Sequence, residues 1–262
     1  DWSSAVCSSD LQIIPGTTVT SPTAAVRTIT VNNTGLLPWT ADNFDLSLEF
    51  YPSKAGLISV GLFAKDIRNF FGATRVPSTP EILANHGLDA SYQDYEVISQ
   101  TNVGDARVTG FEYNFRQSLD GLHPWLRGFG VFFNGTEIQV EGPNLADFSG
   151  FAGRTINWGI SHGSRRHSVR LNWNYTGRLR DIPVEGAFVP PGTFRYVAPW
   201  LQLDVSAEYR IGPRLSLFTA VRNLTDASRI QESYGPTTPW YARLRQESRF
   251  GAMWNVGVKG SF

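Results

Sequence analysis

The strongest constraint in this 262-residue chain is a two-residue period held over unusually long stretches. In residues 201–211, Leu201, Leu203, Val205, Ala207, Tyr209 and Ile211 occupy one parity and Gln202, Asp204, Ser206, Glu208 and Arg210 the other. Residues 168–175 repeat the pattern, with Val169, Leu171, Trp173 and Tyr175 opposite Ser168, Arg170, Asn172 and Asn174. Successive strand residues point to opposite faces, so each stretch predicts a strand with one apolar and one hydrogen-bonding face. The carboxyl end, FGAMWNVGVKGSF, keeps the same phase from Phe250 to Phe262. Strands of this length and two-sidedness point to a membrane β-barrel, whose strands alternate between lipid and lumen.

Further strands are predicted at 43–51, 57–67, 105–117, 124–135, 153–163 and 214–224, which with 168–175, 201–211 and 250–262 makes nine. A weaker tenth spans 25–32, with Val26, Ile29 and Val31 before the turn-forming Asn32 and Asn33. Most of these segments approach the length a tilted strand needs to cross a bilayer. The connections alternate in length. Short ones fall at 52–56, 118–123, 164–165 and 212–213, and long ones at 68–104, 136–152, 178–199 and 225–249. Outer-membrane barrels separate short periplasmic turns from long extracellular loops, which places the carboxyl terminus in the periplasm. A soluble sandwich has no reason to sort its loops in this way, and a structureless loop of over ~15 residues is uncommon in a compact soluble domain.

Composition narrows the function classes. No apolar run approaches the ~20 residues of a spanning helix. Lys plus Arg number 23 and Asp plus Glu 23, so the surplus of cations that a phosphate-tracking surface needs is missing, and no nucleic-acid partner is expected. The single cysteine, Cys7, excludes a disulfide framework. It lies in DWSSAVCSSDL, residues 1–11, which resembles the translation of a common sequencing adapter, with Ala5 where that translation has aspartate. This segment is expected to be foreign to the protein. Residues 12–262 are then the carboxyl-terminal part of a longer chain.

Several segments resemble the carboxyl-terminal barrel of TonB-dependent outer-membrane receptors. LLPWTADNFDLSLEFYPSKAGLISVGLFAKDI (36–67) is similar to a strand, short turn and strand of that family, and ARVTGFEYNFRQSL (106–119) to one of its strand starts. LDVSAEYRIGPRLSLFTAVRNLTD (203–226) resembles the penultimate hairpin, with VRNLTD the most specific match, and GAMWNVGVKGSF resembles the closing strand. The resemblance implies an all-β antiparallel barrel of about 22 strands in the complete protein, of which this chain holds nine or ten. Alone, these strands form an open curved sheet. It further implies a plug domain absent here, TonB as partner, and energised uptake of a siderophore, cobalamin or glycan through the outer membrane of a Gram-negative-type bacterium. The alternatives are a complete small porin-like barrel and an outer-membrane hydrolase.

Within the motifs, Asn223 and Asp226 bond their own backbone and end a strand, while Gly110 relieves crowding beside an aromatic or marks a bulge. Arg170, Asn172, Asn174, Asp204, Glu208 and Arg210 are candidates for the lumen or plug-facing surface. Tyr92, Tyr95, Tyr196, Trp240 and Tyr241, with Phe194 and Tyr234, are candidates for ligand contact at the outer mouth or for the interfacial aromatic girdle. No enzyme, cofactor or metal site is expected. Ser161 and His162 are strand neighbours that face apart, His86 with Asp89 and Asp94 are polar loop residues, and no histidine pair has i, i+2 spacing in one loop.

Overall fold

A computed structural model describes residues 17–21, 27–53, 55–143, 148–184, 189–190 and 192–260. Residues 1–11, Val26, Ser261 and Phe262 lie outside these. Fifteen strands run β1 (Thr17–Val19), β2 (Thr28–Val31), β3 (Thr40–Phe50), β4 (Gly56–Pro77), β5 (Glu96–Ser118), β6 (Phe129–Glu141), β7 (Arg154–Gly163), β8 (His167–Thr176), β9 (Leu179–Pro183), β10 (Phe194–Val197), β11 (Trp200–Arg210), β12 (Leu215–Arg222), β13 (Arg229–Tyr234), β14 (Leu244–Ser248) and β15 (Met253–Gly260). One short helix, α1 (Pro80–Asn85), lies between β4 and β5. Among the described residues no helix is long and apolar enough to cross a membrane.

Nine strands form a continuous antiparallel ladder in the order β3-β4-β5-β6-β7-β8-β11-β12-β15. No pairing joins β3 to β15 among the described residues, so the sheet is open. Eight reversals separate these edges, and they therefore run in the same direction. Closing the sheet on itself would pair them in parallel; an all-antiparallel closure needs an odd number of added strands. Nine of the nine or ten expected strands are in this ladder, and the weaker tenth at 25–32 is not. Residues 28–31 make a four-residue strand parallel to the far end of β5, not a tenth crossing strand.

Register explains the two faces. Leu46, Leu62, Phe111, Val169, Leu201 and Leu217 belong to one surface that is apolar and open, and on the edge strands Leu48 is 74% and Val256 72% exposed. Trp158 and Trp173 pair directly and stack with an interplanar angle of 3° on this surface. Apolar side chains held outward over a whole sheet need hydrocarbon around them. The opposite surface carries glycines beneath aromatic rings. A Cβ on Gly110 would lie 2.0 Å from Phe63, one on Gly159 2.5 Å from Phe132, and one on Gly257 2.6 Å from Phe218. The reading of Gly110 as relief for an aromatic holds. Gly110→Ala should cost about 1 kcal/mol by overpacking, read as a lower urea midpoint in detergent, and Phe63→Ala in the same chain should recover part of it.

The ends of the sheet differ in kind. Short connections span 51–55, 164–166 and 211–214, and a fourth spans 119–128, longer than expected because β6 starts at Phe129 rather than at residue 124. Pro124 offers no N–H to a ladder, and residues 124–126 instead form a 3₁₀ turn whose Trp125 N–H His123 accepts. At the other end the long connections are not structureless. β4 and β5 stay paired as far as Pro77 and Glu96, leaving residues 78–95 as a cap. Its core joins Leu83, Leu88, Tyr92 and Tyr95 to Ile29 and Val31 of β2. A second sheet, in the order β14-β13-β10-β9, fills the connections after β8 and β12.

Asp89 caps the cap's 3₁₀ turn, accepting the Ser91 N–H at 2.7 Å. The Ser91 hydroxyl and then its amide hold the Asp89 carboxyl below its ordinary range. Protection of the Ser91 amide is thus complete above an ordinary aspartate pKa of about 3.9 and lost as pH falls through the lowered folded value. Hydrogen exchange should show that dependence, and Asp89→Asn should remove it.

Candidate functional site

The predicted lumen residues fall on one polar surface. Cross-strand register sets Arg170 beside Ser206 and Ser161, Asn172 beside Asp204, and Asn174 beside Gln202 and Asn157. Their side chains form a chain: Asn172 Nδ2 donates to Asn174 Oδ1 at 2.8 Å, and Asn174 Nδ2 donates to Asp204 Oδ2 at 3.1 Å. Arg170 lies 5.7 Å from the Phe132 ring centre, Glu208 pairs with Lys259 at 3.2 Å, and Arg210 Nη1 donates to the Arg165 carbonyl at 3.2 Å. A hydrogen-bonded surface facing an apolar one is what a water-filled or plugged lumen requires.

Asp204 also holds the main chain. Its Oδ1 accepts the Asn223 backbone N–H at 2.9 Å, where β12 ends and Asn223 turns to a φ of 54°. Asn223 closes that turn with both side-chain atoms, accepting the Ala227 N–H at 2.9 Å and donating to the Ala227 carbonyl at 3.2 Å. Asp226, at φ 48°, accepts the Gly251 N–H at 3.1 Å. The RNLTD turn is therefore a structural latch joining β11, β12 and the approach to β15. Asparagine and aspartate tolerate the left-handed region and bond locally, which is why they stand here.

The aromatic candidates separate into two groups. Tyr92 and Tyr95 do not reach outward; they are 4% and 3% exposed in the cap core, where β2 covers them. Trp240 and Tyr241 are 79% and 73% exposed at the tip between β13 and β14, and pack edge to face. Tyr196 is half-buried in the second sheet, in a layered cluster that includes arginines the sequence reading did not single out. The Arg178 guanidinium sits 4.2 Å from the Tyr196 ring centre and 5.3 Å from that of Tyr234, and pairs with Glu232 at 2.9 Å. Arg243 covers Tyr234 at 4.3 Å, and Arg180 covers Phe194 at 4.8 Å. Such stacking fixes guanidinium groups on rigid faces. The signal was the arginine alternation through 178–180 and 243–245, legible only once these strands were aligned.

Among the described residues, the titratable groups weighed for catalysis have other partners. Asp94 pairs with Arg27, Asp89 holds Ser91, and His86 ends α1. Ser161 Oγ bonds the Gly130 carbonyl, on the face opposite His162. Among the described residues no group of three or more His, Cys, Asp or Glu could hold a metal.

Residues 10–224 match the family model described as TonB dependent receptor-like, beta-barrel. The chain belongs to the TonB-dependent receptors. Its relatives in this family are outer-membrane transport proteins of Gram-negative bacteria. The barrel also resembles solved structures at identities that speak for fold alone. A variant of the ferric enterobactin receptor PfeA from Pseudomonas aeruginosa shares 17% identity at a TM-score of 0.62, covering 90% of this chain and 33% of that one. The copper transporter OprC shares 15% at 0.61, with 87% and 33% covered. The ferric citrate transporter FecA, unliganded, shares 18% at 0.55, with 84% and 31% covered. The receptor chain thus spans about a third of the structures it matches. No curated protein matches it in sequence.

Proposed function

We propose that this chain is the carboxyl-terminal part of the barrel of a TonB-dependent receptor whose complete form imports a large, scarce ligand: a siderophore, cobalamin or a glycan. The observation that carries the reading is the open ladder of nine strands with parallel edges, in a chain that belongs to this family. An odd number of further strands completes it, and about thirteen would make the 22-stranded plugged barrel of outer-membrane transporters. The polar surface around Asn172, Asn174, Asp204 and Glu208 then faces the plug, whose inner side engages TonB. The short turns are periplasmic, and the cap and second sheet extracellular. Trp240, Tyr241 and Tyr196 with its stacked Arg178 are the ligand contacts in this part.

The test is growth of cells that depend on the complete receptor, supplied in turn with ferric enterobactin, ferric citrate, cobalamin or an oligosaccharide as the limiting nutrient. The reading expects growth on one of them and its loss when TonB is deleted. Growth that is indifferent to TonB on every nutrient would contradict it. Trp240→Ala with Tyr241→Ala should weaken ligand binding about tenfold or more and leave assembly unchanged.

A further inference from the structure

The short turn between β7 and β8 brings together two histidines separated by five positions in sequence. His162 is the penultimate residue of β7 and His167 the first of β8, on the same face of the hairpin. His162 Nδ1 lies 3.1 Å from His167 Nε2, with ring centres 5.0 Å apart and planes inclined by 30°. Phe129 braces His162 from the next strand at 4.4 Å between ring centres. Ser164 Oγ stands 2.9 Å from the other nitrogen of His167, and accepts the backbone N–H groups of Arg166 and His167 at 3.2 and 3.1 Å.

The distance admits two uses of such a pair. A linear N–H···N bond of this length would set the ring centres about 5.4 Å apart. An ion about 2.0–2.1 Å from each nitrogen, with an angle of about 98° between them, would set the nitrogens about 3.1 Å and the ring centres about 4.8 Å apart. The observed 3.1 Å between the two nitrogens is the spacing such an ion requires. Both rings are already braced, so little ordering is left to do on binding.

We propose that His162 and His167 form a two-imidazole site for a divalent transition-metal ion of the copper, nickel or zinc class, completed by water, at the rim made by the short turns. Ser164 is its outer partner. Ser164 Oγ, 2.9 Å from His167 Nδ1, holds the ring so that Nε2 is the nitrogen turned toward His162. Arg165 and Arg166 lie in the same turn, and Arg210 bonds the Arg165 carbonyl. Their charge disfavours ions held by electrostatics alone, such as magnesium and calcium, and leaves those that bond strongly to imidazole. The site needs no residue from another part of the receptor, and its existence is independent of the transported ligand.

The experiment titrates the complete receptor, purified in detergent, with Cu²⁺, Ni²⁺, Zn²⁺ and Mg²⁺. The expected result is one tight site for each of the first three and none for Mg²⁺, with nitrogen couplings from two imidazoles in the Cu²⁺ electron paramagnetic resonance spectrum. His162→Gln or His167→Gln should weaken binding at least about tenfold, Ser164→Ala less, and His86→Gln not at all. Unfolding in urea should remove the site. Equal affinity in the double variant His162→Gln, His167→Gln, or in the unfolded chain, would overturn the proposal.

Discussion

Val205→Lys is expected to block assembly of the barrel, at a cost of ~2–4 kcal/mol for a cation on the lipid face near the bilayer midplane. Val205 stands at the centre of β11, with Leu171 of β8 on one side and Val221 of β12 on the other. All three share the apolar face, so the ammonium has no carboxylate or lumen water within reach. Snorkelling reduces the cost at the ends of a strand and hardly at its middle. The same substitution at Ser206, one residue on and facing the polar surface, should be tolerated. The measurement is the fraction of receptor folded in outer membranes, read by heat-modifiable migration. Equal assembly of the Val205 and Ser206 lysine variants would mean that the faces are reversed.

Asp204→Leu is expected to destabilise the folded barrel by roughly 1.5–3 kcal/mol, although its side chain lies on the polar face and is no barrier to insertion. The carboxylate accepts the Asn223 main-chain N–H and the Asn174 amide. Leucine leaves the Asn223 amide, on a residue 7% exposed, without its partner. Asp204→Asn keeps one acceptor and should lose about half as much. Denaturant midpoints in detergent give the size, and proteolysis at 223–228 should show that the loss begins at this turn. A variant with an unchanged midpoint would assign Asp204 to plug contacts alone.

These two neighbours show what period-two patterning makes legible. It settles which residue of each pair faces lipid, because register transmits one strand's alternation to the next; Arg170, Asn172, Asn174, Asp204 and Glu208 therefore share a surface as their parity requires. Alternation does not survive a bulge. At Asn69, with φ 58°, and Gly104, with φ 124°, the β4–β5 register shifts, and the strands run on to Pro77 and Glu96 in a new phase. Residues 68–104 consequently read as one long loop. Tyr92 and Tyr95 read as exposed because their cover, Ile29 and Val31, comes from more than 60 positions upstream. The His162–His167 contact is hidden in the sequence for a related reason. An i, i+2 pattern describes one loop, whereas a hairpin brings together residues on either side of its turn.

Cysteine accessibility in intact cells tests the central claim most directly: this chain is a membrane-crossing receptor sheet with its short turns on one side and its long connections on the other. Thr237→Cys lies in the exposed turn after β13, and Gly212→Cys lies in the short turn between β11 and β12, where a Cβ meets no atom within 4 Å. A membrane-impermeant maleimide should label Thr237→Cys in intact cells producing the complete receptor, and Gly212→Cys only after the outer membrane is permeabilised. Labelling of both positions in intact cells, or of Gly212→Cys alone, would contradict the account.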